Sequence, residues 1–221
     1  MGHLLLEVLP LALGAAVSPV LLGLEILALS SPKSPVARGW AVALGSGLVL
    51  IAVALGASFL RHLPARSRHS ATDALIDLLL AAVLLLLAAR SWSKRPLPGE
   101  QNSSKMATKL ASASAADFVV AGMIGMVVNV SSLVLFLPAM REISRSQLNS
   151  GARLVVIAVV IVITLLPVLL PAAILSILGK RADGALRAIS GFVGSQAKQI
   201  SIVIELVFAV YLTVKGIGEI G

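Results

Sequence analysis

No cysteine occurs anywhere in the 221 residues, which excludes disulfides, thiolate metal sites and thiol redox chemistry. Charge is scarce as well: 13% of residues are Asp, Glu, Lys or Arg against 58% hydrophobic, and the mean hydropathy is +1.01. Soluble domains hold about 25% charged and roughly 45–50% apolar residues, so a soluble globular chain is excluded. Histidine is limited to His3, His62 and His69, at the first terminus or in a single loop. No metal site and no histidine-based catalytic pair can therefore be assembled in the apolar segments. There is no HExxH, no Walker loop and no pair of catalytic carboxylates at helical spacing. Neither enzymatic activity nor a cofactor is expected. The net charge of +8 would point to nucleic acid in a soluble chain. Here the Lys and Arg sit in short loops between apolar runs, where they act as topology signals and contacts to anionic lipid, and nucleic acid is not an expected partner.

What the chain does have is long apolar runs. A spanning helix needs about 20 mostly apolar residues, and six segments meet or approach that: Leu4 to Leu29, Gly39 to Leu60, Ala74 to Ala89, Phe118 to Met140, Leu154 to Leu178 and Ile200 to Ile217. The third and sixth are short and must recruit flanking residues such as Asp73 or Lys215. No basic region precedes the first run, which reads as a spanning helix and not as a signal peptide. The polar stretch Arg90 to Asp117, containing SKRPLPGEQNSSKMATKLASASA, is the linker between two halves. The division is 1–91, a linker 92–116, and 117–221.

The halves read as copies. Each runs interrupted helix, basic loop, plain helix, second loop, then a short helix with one acid near its start: Ile76-Asp77 opens the third helix of one half, Ile204-Glu205 that of the other. With three spans each, the copies must lie in opposite senses, as two inverted three-helix repeats of an all-α, six-helix polytopic membrane protein. The Lys and Arg count sets the orientation. Lys33, Arg38, Arg90, Lys94, Arg95, Lys105, Lys109, Lys180, Arg181, Arg187 and Lys198 lie on the linker side; Arg61, Arg66, Arg68, Arg141, Arg145, Arg153 and Lys215 lie opposite. The positive-inside rule then puts the linker in the cytoplasm and both termini outside. Within the fifth loop, Ala185 to Lys198 spaces Leu186, Ile189 and Val193 opposite Arg187 and Ser190, which reads either as a short interfacial helix or as an ordinary loop.

The candidate functional residues are the polar interruptions. In the first span Ser18 and Pro19 fall about midway. Pro19 removes a backbone donor and obstructs the carbonyl of residue 15, leaving polar backbone in need of a partner. In the fourth span, about 111 residues later, Asn129, Ser131 and Ser132 occupy the corresponding place. Paired interruptions of this kind mark transport sites in membrane proteins, so Ser18, Pro19, Asn129, Ser131 and Ser132 are the expected substrate-binding residues, meeting at the midplane. The bland alternative is a proline kink with Ser18 bonded to its own helix. Three acids, Glu25, Asp77 and Glu205, lie inside spans, where a charge costs about 2.5–3.5 kcal/mol on insertion scales. No Lys or Arg is expected deep enough to pair with them, and they are the candidate proton-coupling groups. Alternatively, Asp77 and Glu205 snorkel to the interface and Glu25 reaches Lys33 or Arg38. Gly45 and Gly47, flanking Ser46, read as small residues that permit close helix packing.

The opening LPLALGAAVSPVLLGLEILALSSPKSPVARGWAVALGSGL, with Ser18-Pro19, Ser31-Pro32 and Gly39-Trp40, and the closing VYLTVKGI resemble the sulfolipid-addressing and peptidoglycolipid-addressing proteins. These are six-helix actinobacterial membrane proteins of the lysine-exporter superfamily, and the similarity covers nearly the whole chain. The family often has Asn-Pro-Lys in its fourth helix; this chain has Asn129-Val130-Ser131, so the asparagine carries over and the proline and lysine do not. The resemblance implies export of an amphiphilic glycolipid across the cytoplasmic membrane, or assistance to a larger lipid exporter. Export of small solutes or amino acids, as elsewhere in the superfamily, is the alternative. The expected partners are the lipid cargo, the larger exporter and further copies of the chain.

Overall fold

A computed structural model describes residues 2–31, 33–60, 71–93 and 113–218. Among them all regular structure is helical. In chain order the helices are α1 (Gly2–Ala16), α2 (Pro19–Leu29), α3 (Pro35–Leu60), α4 (Ala71–Ser93), α5 (Ala115–Val128), α6 (Val130–Arg145), α7 (Ser150–Thr164) and α8 (Leu166–Leu178). A 3-10 turn (Gly179–Ala182) leads into α9 (Asp183–Gly218). Most of the linker, residues 94–112, lies outside the described residues, as does the loop 61–70 with His62, His69 and three of its arginines.

The helices are apolar inside and outside. On α3 Val42, Leu50 and Ala54 are buried, while Leu44, Leu48, Ile51 and Leu55 form an outward stripe. A helix apolar on all sides belongs in lipid, and the chain is a membrane protein. Among the described residues two helical segments are long and apolar enough to cross a bilayer alone, Pro35–Ser58 and Gln199–Gly218; three bent pairs, α1 with α2, α5 with α6 and α7 with α8, are so together. These account for five of the six expected segments. The third, Ala74 to Ala89, lies within helix α4.

Two expectations need correction. The fifth segment is not a plain helix: α7 and α8 meet at a 74° bend. Pro167 sits in the first turn of α8 and Pro171 inside it, and a ring at position 167 removes the donor that would have continued the ladder. Nor is Ala185 to Lys198 a separate interfacial helix. It is continuous with the last span in the 36-residue α9, about 54 Å long at 1.5 Å per residue and well beyond the roughly 30 Å of hydrocarbon. The side chains of Arg187, Ser190 and Val193 lie outside those described.

Close backbone contact fixes the centre of the bundle. A Cβ added to Gly45 would overlap the carbonyl oxygen of Val119, and one added to Gly122 the carbonyl oxygen of Val42. Ser46 seals the crossing of α3 and α5 by donating its hydroxyl to the Gly122 carbonyl, at 3.2 Å. The small-residue reading of this stretch thus holds for Gly45. Gly45→Leu should destabilise the detergent-solubilised protein by about 1–3 kcal/mol, the usual cost of overpacking. Thermal unfolding checks this, with Gly56→Leu as the neutral control, because nothing lies within 4 Å of a Cβ there.

Candidate functional site

Two broken helices cross at the point where both are broken. Pro19 opens α2 and has no N–H to give to the carbonyl of Ala15, so that acceptor is left without its helical donor. The chain turns through 54° here, with Val17 N–H donating to Gly14 O at 3.2 Å and Ser18 N–H to Ala16 O at 2.9 Å. Ser18 is extended (φ −125°, ψ 101°), and its Oγ caps α2 by accepting from Leu21 N–H at 3.2 Å. This is the ordinary N-cap role of serine. The orphaned Ala15 carbonyl is taken up by the other broken helix: Ser132 donates its hydroxyl to it at 2.6 Å.

The second break bends α5 against α6 by 76° without any proline. Asn129 has non-helical ψ (67°) and gives α6 no side-chain cap. Its amide is engaged in tertiary contacts instead, Nδ2 donating to Ser18 Oγ at 2.7 Å and to Ser132 Oγ at 2.6 Å. Ser131 donates to Asn129 Oδ1 at 3.3 Å. Side-chain hydrogen bonding can compete with the helical ladder at such a residue, which accounts for a break without the proline. Ser18, Asn129 and Ser132 are all buried and Ser131 half-buried. The polar residues expected to meet do so, through a direct bond between positions 18 and 129.

The three acids lie on three different helices. Asp77, fully buried on α4, receives Arg141 Nη1 from α6 at 2.6 Å on Oδ1, while the Arg141 side chain is 20% exposed. The expectation that no cation lies deep enough to pair with these acids is therefore wrong for Asp77. Helix α6 runs on past Met140 to Arg145, and the long arginine stem lets the guanidinium reach back along apolar surface. Glu205 is buried on α9. It is not near a helix start, because α9 begins at Asp183. Glu25 is fully buried on α2, and neither carboxyl oxygen has a hydrogen-bond partner. It does not reach Lys33 or Arg38. Lys33 is exposed, and the Arg38 guanidinium is turned to Ser31 Oγ and the Ala113 carbonyl, stacked 5.2 Å above the Phe118 ring. Among the described residues no three His, Cys, Asp or Glu side chains could hold a metal ion.

The family described as Sap, sulfolipid-1-addressing protein, matches residues 8–218, nearly the whole chain and both broken helices. The chain belongs to the sulfolipid-1-addressing protein family. No curated protein and no solved structure matches it. The resemblance drawn from Ser18-Pro19 and Gly39-Trp40 thus reaches the right family, and within this member the serine and proline of that pattern form one side of the crossing at Asn129. Sequence reasoning missed Arg141, which it assigned to a loop, and Thr164, whose buried hydroxyl lies at the third break. Pro167 and Pro171, in LLPVLLP, were the visible signal for that break.

Proposed function

We propose that this member of the sulfolipid-1-addressing family is a six-span protein of the cytoplasmic membrane that exports an amphiphilic glycolipid, with the linker cytoplasmic and both termini outside. In this reading Ser18, Pro19, Asn129, Ser131 and Ser132 contact the polar part of the cargo at mid-depth, while the acyl chains stay in the bilayer. One observation carries it: two broken helices exchange hydrogen bonds at their buried breaks, Asn129 to Ser18 and Ser132 to Ala15. A polar head group crossing hydrocarbon needs such partners, since an unpaired polar group there costs several kcal/mol. Packing supports the inverted repeat. Helix α4 lies on α9, α9 also on α2 and α4 also on α6, a pattern that is preserved when the halves are exchanged. The family's description, which names a sulfolipid, supports a lipid cargo.

A helper that does not itself transport, acting beside a larger lipid exporter, is the second reading. It is favoured by the way Ser18, Asn129 and Ser132 satisfy one another. Lipidomics of surface extracts from a deletion strain tests the shared part: loss of one glycolipid class from the surface, with its accumulation inside, is expected. An unchanged lipid profile with altered efflux of a small solute would replace both readings. Purified protein in liposomes then separates them, because only a transporter moves labelled lipid alone.

A further inference from the structure

Among the described residues Glu25 alone has two buried side-chain oxygens without a hydrogen-bond partner. It is completely buried, and neither oxygen accepts a hydrogen bond. Its Oε1 lies against the Gly39 backbone on α3: a Cβ added there would stand 2.5 Å from that oxygen and 2.5 Å from Leu29 Cδ2. The carboxyl thus occupies a notch that exists only because residue 39 has no side chain, with Leu29 beside it. Leu29 belongs to a small apolar cluster with Leu175 and Ala182, flanked by Val36, Ile174 and Leu186. This cluster sits at the ends of α2 and α8 and the starts of α3 and α9, between Glu25 and the linker side.

Among the described side chains none donates to this carboxyl. On α3 Arg38 is committed to Ser31, Ala113 and Phe118. Helix α8 carries no titratable residue. On α5 Asp117 closes a capping box with Ser114. Helix α9 contributes the buried acid Glu205; its Arg187 and Lys198 side chains lie outside those described. Sealed in this way, an ionised carboxylate is heavily penalised by the loss of water, and a neutral acid far less so.

We propose that Glu25 is a proton-binding site on the linker side of the membrane, closed over its proton by the Leu29 cluster. When Leu29 moves aside and water enters, Glu25 releases the proton to the linker side; when it is reprotonated, the notch against Gly39 closes again. The inference rests on the transport reading, for which it supplies a coupling ion. Two carbodiimides test it on the full chain in detergent, with modified residues located by mass spectrometry. The apolar dicyclohexylcarbodiimide, which attacks protonated carboxyls in apolar surroundings, should modify Glu25 at low pH and lose at least tenfold in yield as pH is raised. Leu29→Ala should shift the modification of Glu25 toward a water-soluble carbodiimide. No modification of Glu25 at any pH, or a yield independent of pH, would overturn the site. So would an unchanged preference for the apolar reagent in Leu29→Ala. Neither readout needs cargo: a pH-dependent Glu25 in a strain whose lipids are unaffected by deletion would sink the lipid reading and leave the proton site standing.

Discussion

Arg141→Gln should lower the stability of the detergent-solubilised protein by about 3–5 kcal/mol, the usual cost of removing one partner from a buried ion pair. Asp77 is entirely buried and holds Arg141 Nη1 at 2.6 Å. Truncating the arginine therefore leaves a carboxylate in the interior between α4 and α6. The double variant Asp77→Asn/Arg141→Gln should recover part of the loss, because it leaves no carboxylate behind in the interior. Unfolding of the four proteins in one detergent completes a double-mutant cycle. A double variant no more stable than Arg141→Gln would show that the pair does not account for the loss. The same geometry changes what Asp77→Asn alone means. Read from the sequence, Asp77 and Glu205 are equivalent proton carriers whose removal leaves folding intact. With Arg141 in contact, Asp77 has a structural role that a transport assay alone would confuse with a functional one.

The sequence made some of this visible and hid the rest, for identifiable reasons. Ser18-Pro19 and Asn129 stand out because a polar group midway along a 20-residue apolar run has nowhere to hide, and a proline names the carbonyl it orphans. What a one-dimensional pattern cannot name is the group that takes up that carbonyl. Ser132 is 117 residues away from Ala15, and only the crossing of α1 and α6 brings them together. Arg141 was assigned to a loop because the apolar run ends at Met140; the helix does not end there, and its side chain reaches back to Asp77. The uninterrupted α9 was missed because charge and glycine between positions 180 and 198 signal a boundary in water, whereas a helix leaving the bilayer can continue through them. Gly45 was legible, because small residues in an apolar helix have few uses besides close packing, although its partner Val119 was not.

Asn129→Leu should reduce glycolipid export by about tenfold or more, the equivalent of losing one interaction of 1.4 kcal/mol, with only a small loss of stability. The structure gives the reason for the split. Removing the amide takes one donor from Ser18 and one from Ser132, yet Ser18 Oγ still accepts from Leu21 N–H and Ser132 still donates to the Ala15 carbonyl. Only Ser131 loses its acceptor, Asn129 Oδ1, and it is half-buried; the buried Ser18 and Ser132 each keep a partner, and leucine nearly matches the volume. The stability cost should therefore stay within the roughly 0.6–2 kcal/mol of a membrane hydrogen bond. Ser132→Ala is the contrasting variant. It strands the Ala15 carbonyl, which Pro19 cannot serve, and a buried unsatisfied acceptor costs about 1–3 kcal/mol, so here stability should fall with or before export. Surface lipid extracts and unfolding midpoints for both variants decide between a cargo site and a structural staple. If Asn129→Leu exports like the unmodified protein while unfolding as readily as Ser132→Ala, the crossing of the broken helices only holds the bundle together, and the cargo must be met elsewhere.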